Sequence, residues 1–282
     1  MLARAPASSA NLGPGFDVLA VAIDLHVEVS VVESDRLEVV TEGEGAELPA
    51  DAGHLAARIA TAVAGHDRLA ITVRSQIPVG RGLGSSAALA VAAAAAAGAP
   101  EPLLQGVEAD GHADNAAASA HGGLVAVAVV DGRPVVRSLP LDPQLCAVLV
   151  VPDASLPTVQ ARGALAATVP HADAVFNLGR LALLVAGLAD HRCLIVDAFD
   201  DRLHQDARAA LFPQAPALLG GLRAAGALGA CWSGAGPTLL AMTTLGGAST
   251  VAGAAGDLLE SHGVAGRVVT AGFSRQGVIT RG

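Results

Sequence analysis

Between His26 and Glu33 the chain reads HVEVSVVE, apolar and polar residues alternating with the two-residue period of a half-buried strand. The wider stretch 16–40 shares this tendency and predicts β structure. Residues 54–65 predict a helix. LAITVRSQIPV at 69–79 predicts another strand, which Pro78 ends just before a Gly-rich loop. The loop opens into an Ala-rich helix expected from Ser85 to Ala97, followed by a connector that carries Pro100 and Pro102. A short segment, LLQGVEADGHADNAAASAHGG, leads into the strand LVAVAVV and a turn at Asp131-Gly132.

A second cycle begins near Leu145 with the strand CAVLVVP. Helical segments are expected around 158–167 and 174–190, then a polar stretch at 197–208 and a helix over PALLGGLRAAG. GALGACWSGAGPTLLAMT predicts a strand, a Gly turn and a strand, followed by a helix near 248–262 and the strand GRVVTAG. The tail FSRQGVITRG is left unassigned. Strands and helices mix without a strict βαβ repeat, which predicts an α+β chain of two domains, 1–150 and 151–282.

Composition narrows the chemistry. The 282 residues are 52% hydrophobic with 2% aromatics and no Tyr, and the formal charge is −9. Nucleic-acid binding, which needs a basic surface and stacking aromatics, is therefore not expected. All 17 basic residues are Arg, so an anion must be held by Arg, by backbone N–H groups or by a metal ion. The charge-free run from Gly82 to Pro100 has membrane-spanning length, but its Gly, Ser and Ala content predicts a buried helix and no membrane association. MLARAPASSANLG offers no apolar leader, and a cytoplasmic protein is expected. Cys146, Cys193 and Cys231 form no metal-ligand spacing and are expected as buried free thiols.

The Gly-rich loop, PVGRGLGSSAALA from Pro78, has the glycines of a phosphate-holding turn but no lysine. Phosphates bind where backbone N–H groups converge at a helix N-terminus. Gly80, Gly82 and Gly84 would bring backbone close to an oxyanion, and Ser85 and Ser86 would open the helix, capping an N–H or reaching a Mg²⁺ on the phosphate. The bland alternative is a tight strand-to-helix turn. Two further stretches bear on the choice: PASSANLGPGFDVLAVAID sets Asn11 and Asp17 around a Gly-Pro-Gly turn, and SGAGPTLLA at 233–241 is a second small-residue turn.

In this order the three segments resemble the motifs of the GHMP kinase superfamily, the central PxxxGLGSSA being matched without a break from Pro78 to Ala87. Within it the chain is most similar to the homoserine kinase family: SSANLGPGFDVLAVAID resembles that family's N-terminal signature and DGHADNAAASAHGG its EGHPDN…GG segment. Thr158 and Arg162, together with DRLHQDARAALFP and its Arg208, are similar to the two arginine segments that bind the amino acid. The resemblance implies an N-terminal domain of ribosomal-protein-S5-like topology, a ferredoxin-like C-terminal domain, and MgATP-dependent phosphorylation of the L-homoserine hydroxyl, with a homodimer plausible. It also implies a nucleotide site made by Pro78, Gly80, Arg81, Gly82, Leu83, Gly84, Ser85, Ser86 and Ala87, joined by Gly234 and Gly236.

Homoserine is a zwitterion with a terminal alcohol. Asp17 suits its ammonium, Arg162 and Arg208 its carboxylate, and Asn11, His112 and Asn115 can supply neutral hydrogen bonds that position the hydroxyl. Each of these residues has an ordinary reading too, Arg162 on a solvated helix face and His112 in a satisfied loop. Mg²⁺ is expected on Ser86 and an acidic residue before the DGHADN segment, Glu108 first and Asp110 as alternative. Asn115 falls where other superfamily members carry an Asp base, which implies transfer without a protein base, Asp114 being the fallback. Two alternatives stand: a related kinase for another small alcohol, and a sensor that binds nucleotide or amino acid without turnover.

Overall fold

The structure, a computed structural model, describes residues 1–281, which form two sheets and the helices that cover them. The N-terminal sheet holds β1 (Leu2–Ala10), β2 (Leu19–Glu33), β3 (Glu38–Gly43), β4 (Leu69–Ser75), β5 (Leu124–Val130) and β6 (Arg133–Leu139). β2 is long enough to pair with β1 along its length, with β4 over Val27–Glu33 and with β5 over Leu19–Val21. The alternation read from the sequence is real: Val27, Val29 and Val31 are buried. The same stretch is broken between Glu33 and Glu38, after which β3 runs parallel to β4.

β1 was not foreseen, because Pro and Ser break up its apolar pattern. It is nevertheless a strand, and Pro6 sits where the β1–β2 register shifts, a position that needs no ladder N–H. Small side chains suit it, since α2 (Ser85–Ala96) and α4 (Asp114–His121) lie directly against it. α1 (Leu55–Ala64) and α3 (Pro102–Asp110) complete the helical layer. α2 is the pivot of the domain. Ala is the strongest helix former, and its small side chain lets α1, α3, α4, β1 and β2 all approach one helix. Ala87, Ala88 and the run from Ala90 to Ala96 are buried, as expected of the charge-free run. The short segment ahead of LVAVAVV forms α3 and α4, joined at Gly111. Its helical periodicity is masked by alanines, which serve buried and exposed faces alike.

The second sheet has the order β10 (Gly266–Ala271), β7 (Leu145–Pro152), β9 (Leu239–Thr244), β8 (Gly229–Trp232), all antiparallel. In chain order this is fourth, first, third, second, the ferredoxin-like arrangement expected. β7 is buried on both faces. Ala147, Leu149 and Val151 join the core shared with the N-terminal layer, while Val148 and Val150 face a separate core under α8 (Ala215–Ala224) and α9 (Ala248–Ser261). Between β7 and β8 run α5 (Thr158–Gly163), α6 (His171–Ala189) and the short α7 (Gln205–Ala209). By length and composition α6 could cross a membrane, and its Asn177 and Leu184 are buried against the rest of the chain.

Residue 150 falls inside β7, so the sheets themselves divide in the 140–144 connection. The chain does not stay in the second layer. Its unassigned tail carries β11 (Ile279–Arg281), which returns to the N-terminal sheet and pairs antiparallel with β1, Leu2 opposite Arg281. Cys146 and Cys231 are buried thiols as expected, but Cys193 is exposed. It follows α6 in a surface turn pinned by Asp190, whose side chain accepts from the Arg192 N–H.

Candidate active site

One cavity of about 560 Å³ collects most of the chemistry anticipated from the sequence. Its floor is the loop between β4 and α2. Gly84 caps α2 at φ +64, and a Cβ there would stand 2.1 Å from Ser8 Oγ and 3.0 Å from Asn115 Oδ1. Gly82, at φ +78, passes the C-terminal turn so closely that a Cβ would lie 2.3 Å from the Ser233 carbonyl oxygen. Only glycine meets both the backbone angle and the clearance. The first intrahelical bond of α2 runs from Ala88 N–H to Gly84 O, and no side chain caps the helix. The amides of its first turn are therefore free to receive an anion. Gly80, Arg81, Gly82, Gly84, Ser85 and Ser86 all line the cavity, as does Gly234 from the opposite turn.

The far wall comes from α3 and α4. Asn115 Oδ1 accepts a hydrogen bond from Ser8 Oγ at 2.9 Å, so the amide nitrogen is the group left for a ligand. Asp114 beside it is 3% exposed, and burial pushes its carboxyl up to about 6 against the opposing hydrogen bond from the Asn115 N–H. Asp110 also lines the cavity. Burial raises its carboxyl too, tempered by the neighbouring Ser86 hydroxyl. Glu108, the first choice for a metal ligand, is exposed and does not line the cavity. The cause is helical spacing: two residues apart on α3 point some 200° apart, so only one can face α2. Asp110 carboxylate and Ser86 hydroxyl are hard oxygen donors at the anion site, a set that fits Mg²⁺.

The third wall is charged. Asn11, at φ +71, folds the N-terminal turn: its Oδ1 accepts from the Asp17 N–H and its Nδ2 donates to Gly234 O. The turn aims Asp17 at Arg162 of α5, and the two meet in a bidentate pair at 2.6 and 3.1 Å. They were expected at opposite ends of a ligand, and are instead bonded to each other. Arg208 of α7 is 1% exposed. Its Nη1 donates to Gly234 O at 2.8 Å, and its Nε has no partner. Burial, then Arg162, lowers this guanidinium to about 10, so it stays charged at neutral pH. Both guanidinium groups flank the ring of Phe16, 5.5 and 5.6 Å from its centroid. Thr158 and His112 border the same space, and burial followed by Arg162 keeps the His112 imidazole below its ordinary range.

A glycine-fed helix terminus, a carboxylate and hydroxyl pair and a cationic wall thus share one cavity, and comparison with known proteins agrees. The family described as GHMP kinases N terminal domain matches residues 52–123, and that described as GHMP kinases C terminal matches residues 177–261. A homoserine kinase of Gloeobacter violaceus is 42% identical over 265 residues, covering 87% of this chain and 88% of its own. The chain belongs to the homoserine kinases of the GHMP kinase family. A homoserine kinase of Streptomyces avermitilis is likewise 42% identical over 274 residues, 90% of this chain and 89% of its own. The crystal structure of the homoserine kinase from Cytophaga hutchinsonii superposes with a TM-score of 0.86 at 29% identity, covering 99% of this chain and 96% of that one. Membership makes the protein an ATP-dependent kinase with the two-domain GHMP fold.

Within this GHMP kinase four expected nucleotide residues stand back from the cavity. Leu83 and Ala87 are core residues, Pro78 faces another side of the loop, and Gly236 packs under Trp232, where a Cβ would lie 2.4 Å from the indole. They shape the loop without touching a ligand. Sequence reasoning missed the other end of the cavity. Thr41, Leu48, Pro49, His54, Leu55 and Leu89 line it, half of them in the β3–α1 connection where the motif pattern is weakest. Gly43, Gly45 and Pro49 marked that stretch as a shaped loop. Phe16 was missed as well, although an aromatic inside a Gly-Pro-Gly turn is conspicuous in a chain with 2% aromatics.

Proposed function

We propose that the protein transfers the γ-phosphoryl group of ATP to the side-chain hydroxyl of L-homoserine. The observation that carries this reading is the Asp17–Arg162 pair with Arg208 behind it, on the same cavity as the α2 N-terminus. Such a pair is the complement of a zwitterion. An ammonium against Asp17 and a carboxylate against Arg162 and Arg208 replace one ion pair with two, and the orphan Nε atoms of both arginines gain an acceptor. The apolar end around Leu48, Leu55 and Leu89 suits the nucleoside, which leaves the triphosphate along the loop.

Asp110 and Ser86 would hold Mg²⁺, which neutralises charge on the phosphates. The α2 amides bind the phosphate oxygens, and Arg81 at the loop edge adds positive charge. Asn115, with its oxygen engaged by Ser8, donates its Nδ2 proton to the acceptor oxygen and so orients the hydroxyl for in-line attack. An amide cannot remove the proton. In this reading the hydroxyl proton leaves late, to a phosphate oxygen. A homodimer remains part of the proposal, inherited from the family resemblance.

The test is ADP release by the purified protein with MgATP and L-homoserine, L-serine, L-threonine, mevalonate or no acceptor. Turnover confined to homoserine is expected. Turnover with another alcohol alone would keep the kinase and discard the substrate, and ATP binding without turnover would make the protein a sensor.

Asp114 supports a second reading, because a buried carboxyl near 6 in the cavity has the properties of a general base. The two readings part at Asp114→Asn. Base-free transfer expects kcat within a few-fold of wild type, whereas a required base would cost about 10²- to 10⁴-fold. The same variant has a signature in stability. The Asp114 carboxyl releases its proton at higher pH in the folded protein than in the unfolded chain, so its ionised form destabilises the fold. That cost is absent below pH 4, grows from there to about pH 6 and is complete above it. Asn carries no charge and can still accept the Asn115 N–H. Thermal melts should therefore coincide near pH 4 and separate by about 5 °C in favour of the variant at pH 8.

A further inference from the structure

His204 has no part in the mechanism above, yet it is 1% exposed between two walls of the cavity. Its Nε2 stands 2.8 Å from the Gly13 carbonyl oxygen. A carbonyl only accepts, so Nε2 carries the proton. Nδ1 then presents a lone pair, and Arg208 Nη1 donates to it at 3.0 Å. Neighbouring groups leave the ring no other arrangement. The Asp201 carboxylate, 3.7 Å from Nε2, already accepts from the N–H groups of Leu203, His204 and Gln205 and from Asn177 Nδ2. Phe16 covers the ring at 5.2 Å between centroids. The charged groups around it are Asp201, Arg208 and Asp17, and burial, opposed by Asp201, brings the imidazole down to about 4. At neutral pH the ring is therefore uncharged.

We infer that His204 is a positioning residue: it spans from Gly13, in the turn that carries Asp17, to the guanidinium of Arg208, and so fixes the separation of the ammonium and carboxylate subsites. The inference rests on the proposed roles of Asp17 and Arg208. Geometry gives the imidazole the required property, a donor at one end and an acceptor at the other on a rigid ring. Gly234 O closes the frame, accepting from both Asn11 Nδ2 and Arg208 Nη1. Without the ring, Arg208 keeps its bond to Gly234 but loses its reference to the N-terminal turn.

Two variants each keep one end. In His204→Asn the amide oxygen can replace Nδ1 as acceptor for Arg208, and in His204→Gln the amide nitrogen can replace Nε2 as donor to Gly13. A spacer needs both ends, so each should raise KM for homoserine about tenfold while KM for ATP stays within twofold. Adding either change to Arg208→Met should raise it no further, since His204 acts through that guanidinium. Wild-type KM for homoserine in either variant would overturn the inference, as would equal increases for both substrates. Imidazole ¹⁵N spectra of histidine-labelled wild-type protein provide a check that needs no variant. The neutral Nε2–H form from pH 8 to pH 5.5 supports the assignment, and an Nδ1–H tautomer or a protonated ring at pH 7 refutes it. Failure of the proposed function would look different: wild-type protein would release no ADP in response to homoserine.

Discussion

Asp110→Asn lowers kcat about 10²- to 10³-fold, the loss expected when a metal on the transferring phosphoryl group is deprived of its carboxylate. Glu108→Gln, two residues earlier on the same helix, changes kcat less than twofold, because its side chain lies in solvent away from the cavity. The contrast separates two carboxylates that sequence spacing alone left in competition. Unfolding does not explain the loss: burial already disfavours the charged form of Asp110, so the neutral amide leaves the melting temperature unchanged or slightly higher. Steady-state turnover as a function of Mg²⁺ concentration, with thermal melts of both variants, tests this. Full activity of Asp110→Asn at low Mg²⁺ would remove the residue from the metal site.

Arg208→Met has its effect on the acceptor instead. The guanidinium is 1% exposed, fixed through Nη1 to Gly234 O and His204 Nδ1, with an Nε that has no partner. Losing charge-assisted hydrogen bonds to a carboxylate in such a place costs about 3 kcal/mol, or roughly a 10²-fold rise in KM for homoserine. KM for ATP is not expected to move, because in the proposed arrangement Arg208 serves the acceptor and the nucleoside rests against Leu48, Leu55 and Leu89. Gly234 O keeps its bond from Asn11 Nδ2, so the turn survives the substitution. Arg208→Lys should not rescue affinity, since a point charge lacks the planar fork that reaches two acceptors. Isothermal titration with homoserine decides the matter, and wild-type affinity in Arg208→Met would place the carboxylate elsewhere.

How much of this was legible in the chain depended on side-chain size. Where residues are large and alternate, as in Val27, Val29 and Val31, periodicity located the strand and its buried face. Where they are small, it did not. β1 and the α3–α4 pair are rich in Ala, Gly and Ser, whose burial follows from what packs on them and not from their own hydrophobicity. The Gly-rich loop between β4 and α2 was readable because glycine, serine and proline carry conformational meaning at fixed spacing. Arg162 and Arg208 were readable as cations in a chain without Lys, but their setting was not. That Asp17 and Arg162 pair directly, and that Phe16 lies beside both guanidinium groups, depends on the approach of residues some 145 and 190 positions apart. No local pattern encodes such contacts. The choice of Asp110 over Glu108 belongs in the same class, being a matter of helix phase relative to α2.

The pairing of β11 with β1 bears on how the chain is made. Leu2 is synthesised long before Arg281, which stands opposite it. Until then the outer edge of β1 at Leu2–Arg4 has open N–H and C=O groups while the rest of that sheet and its helical layer can already assemble. Synthesis at some 5–20 residues per second leaves that edge uncovered for roughly ten seconds or more after β6 has emerged. Proline at position 6 and the short exposed length limit what a neighbouring nascent chain could add there. β11 thus serves as a seal, fitted only after the other strands of both sheets have been synthesised.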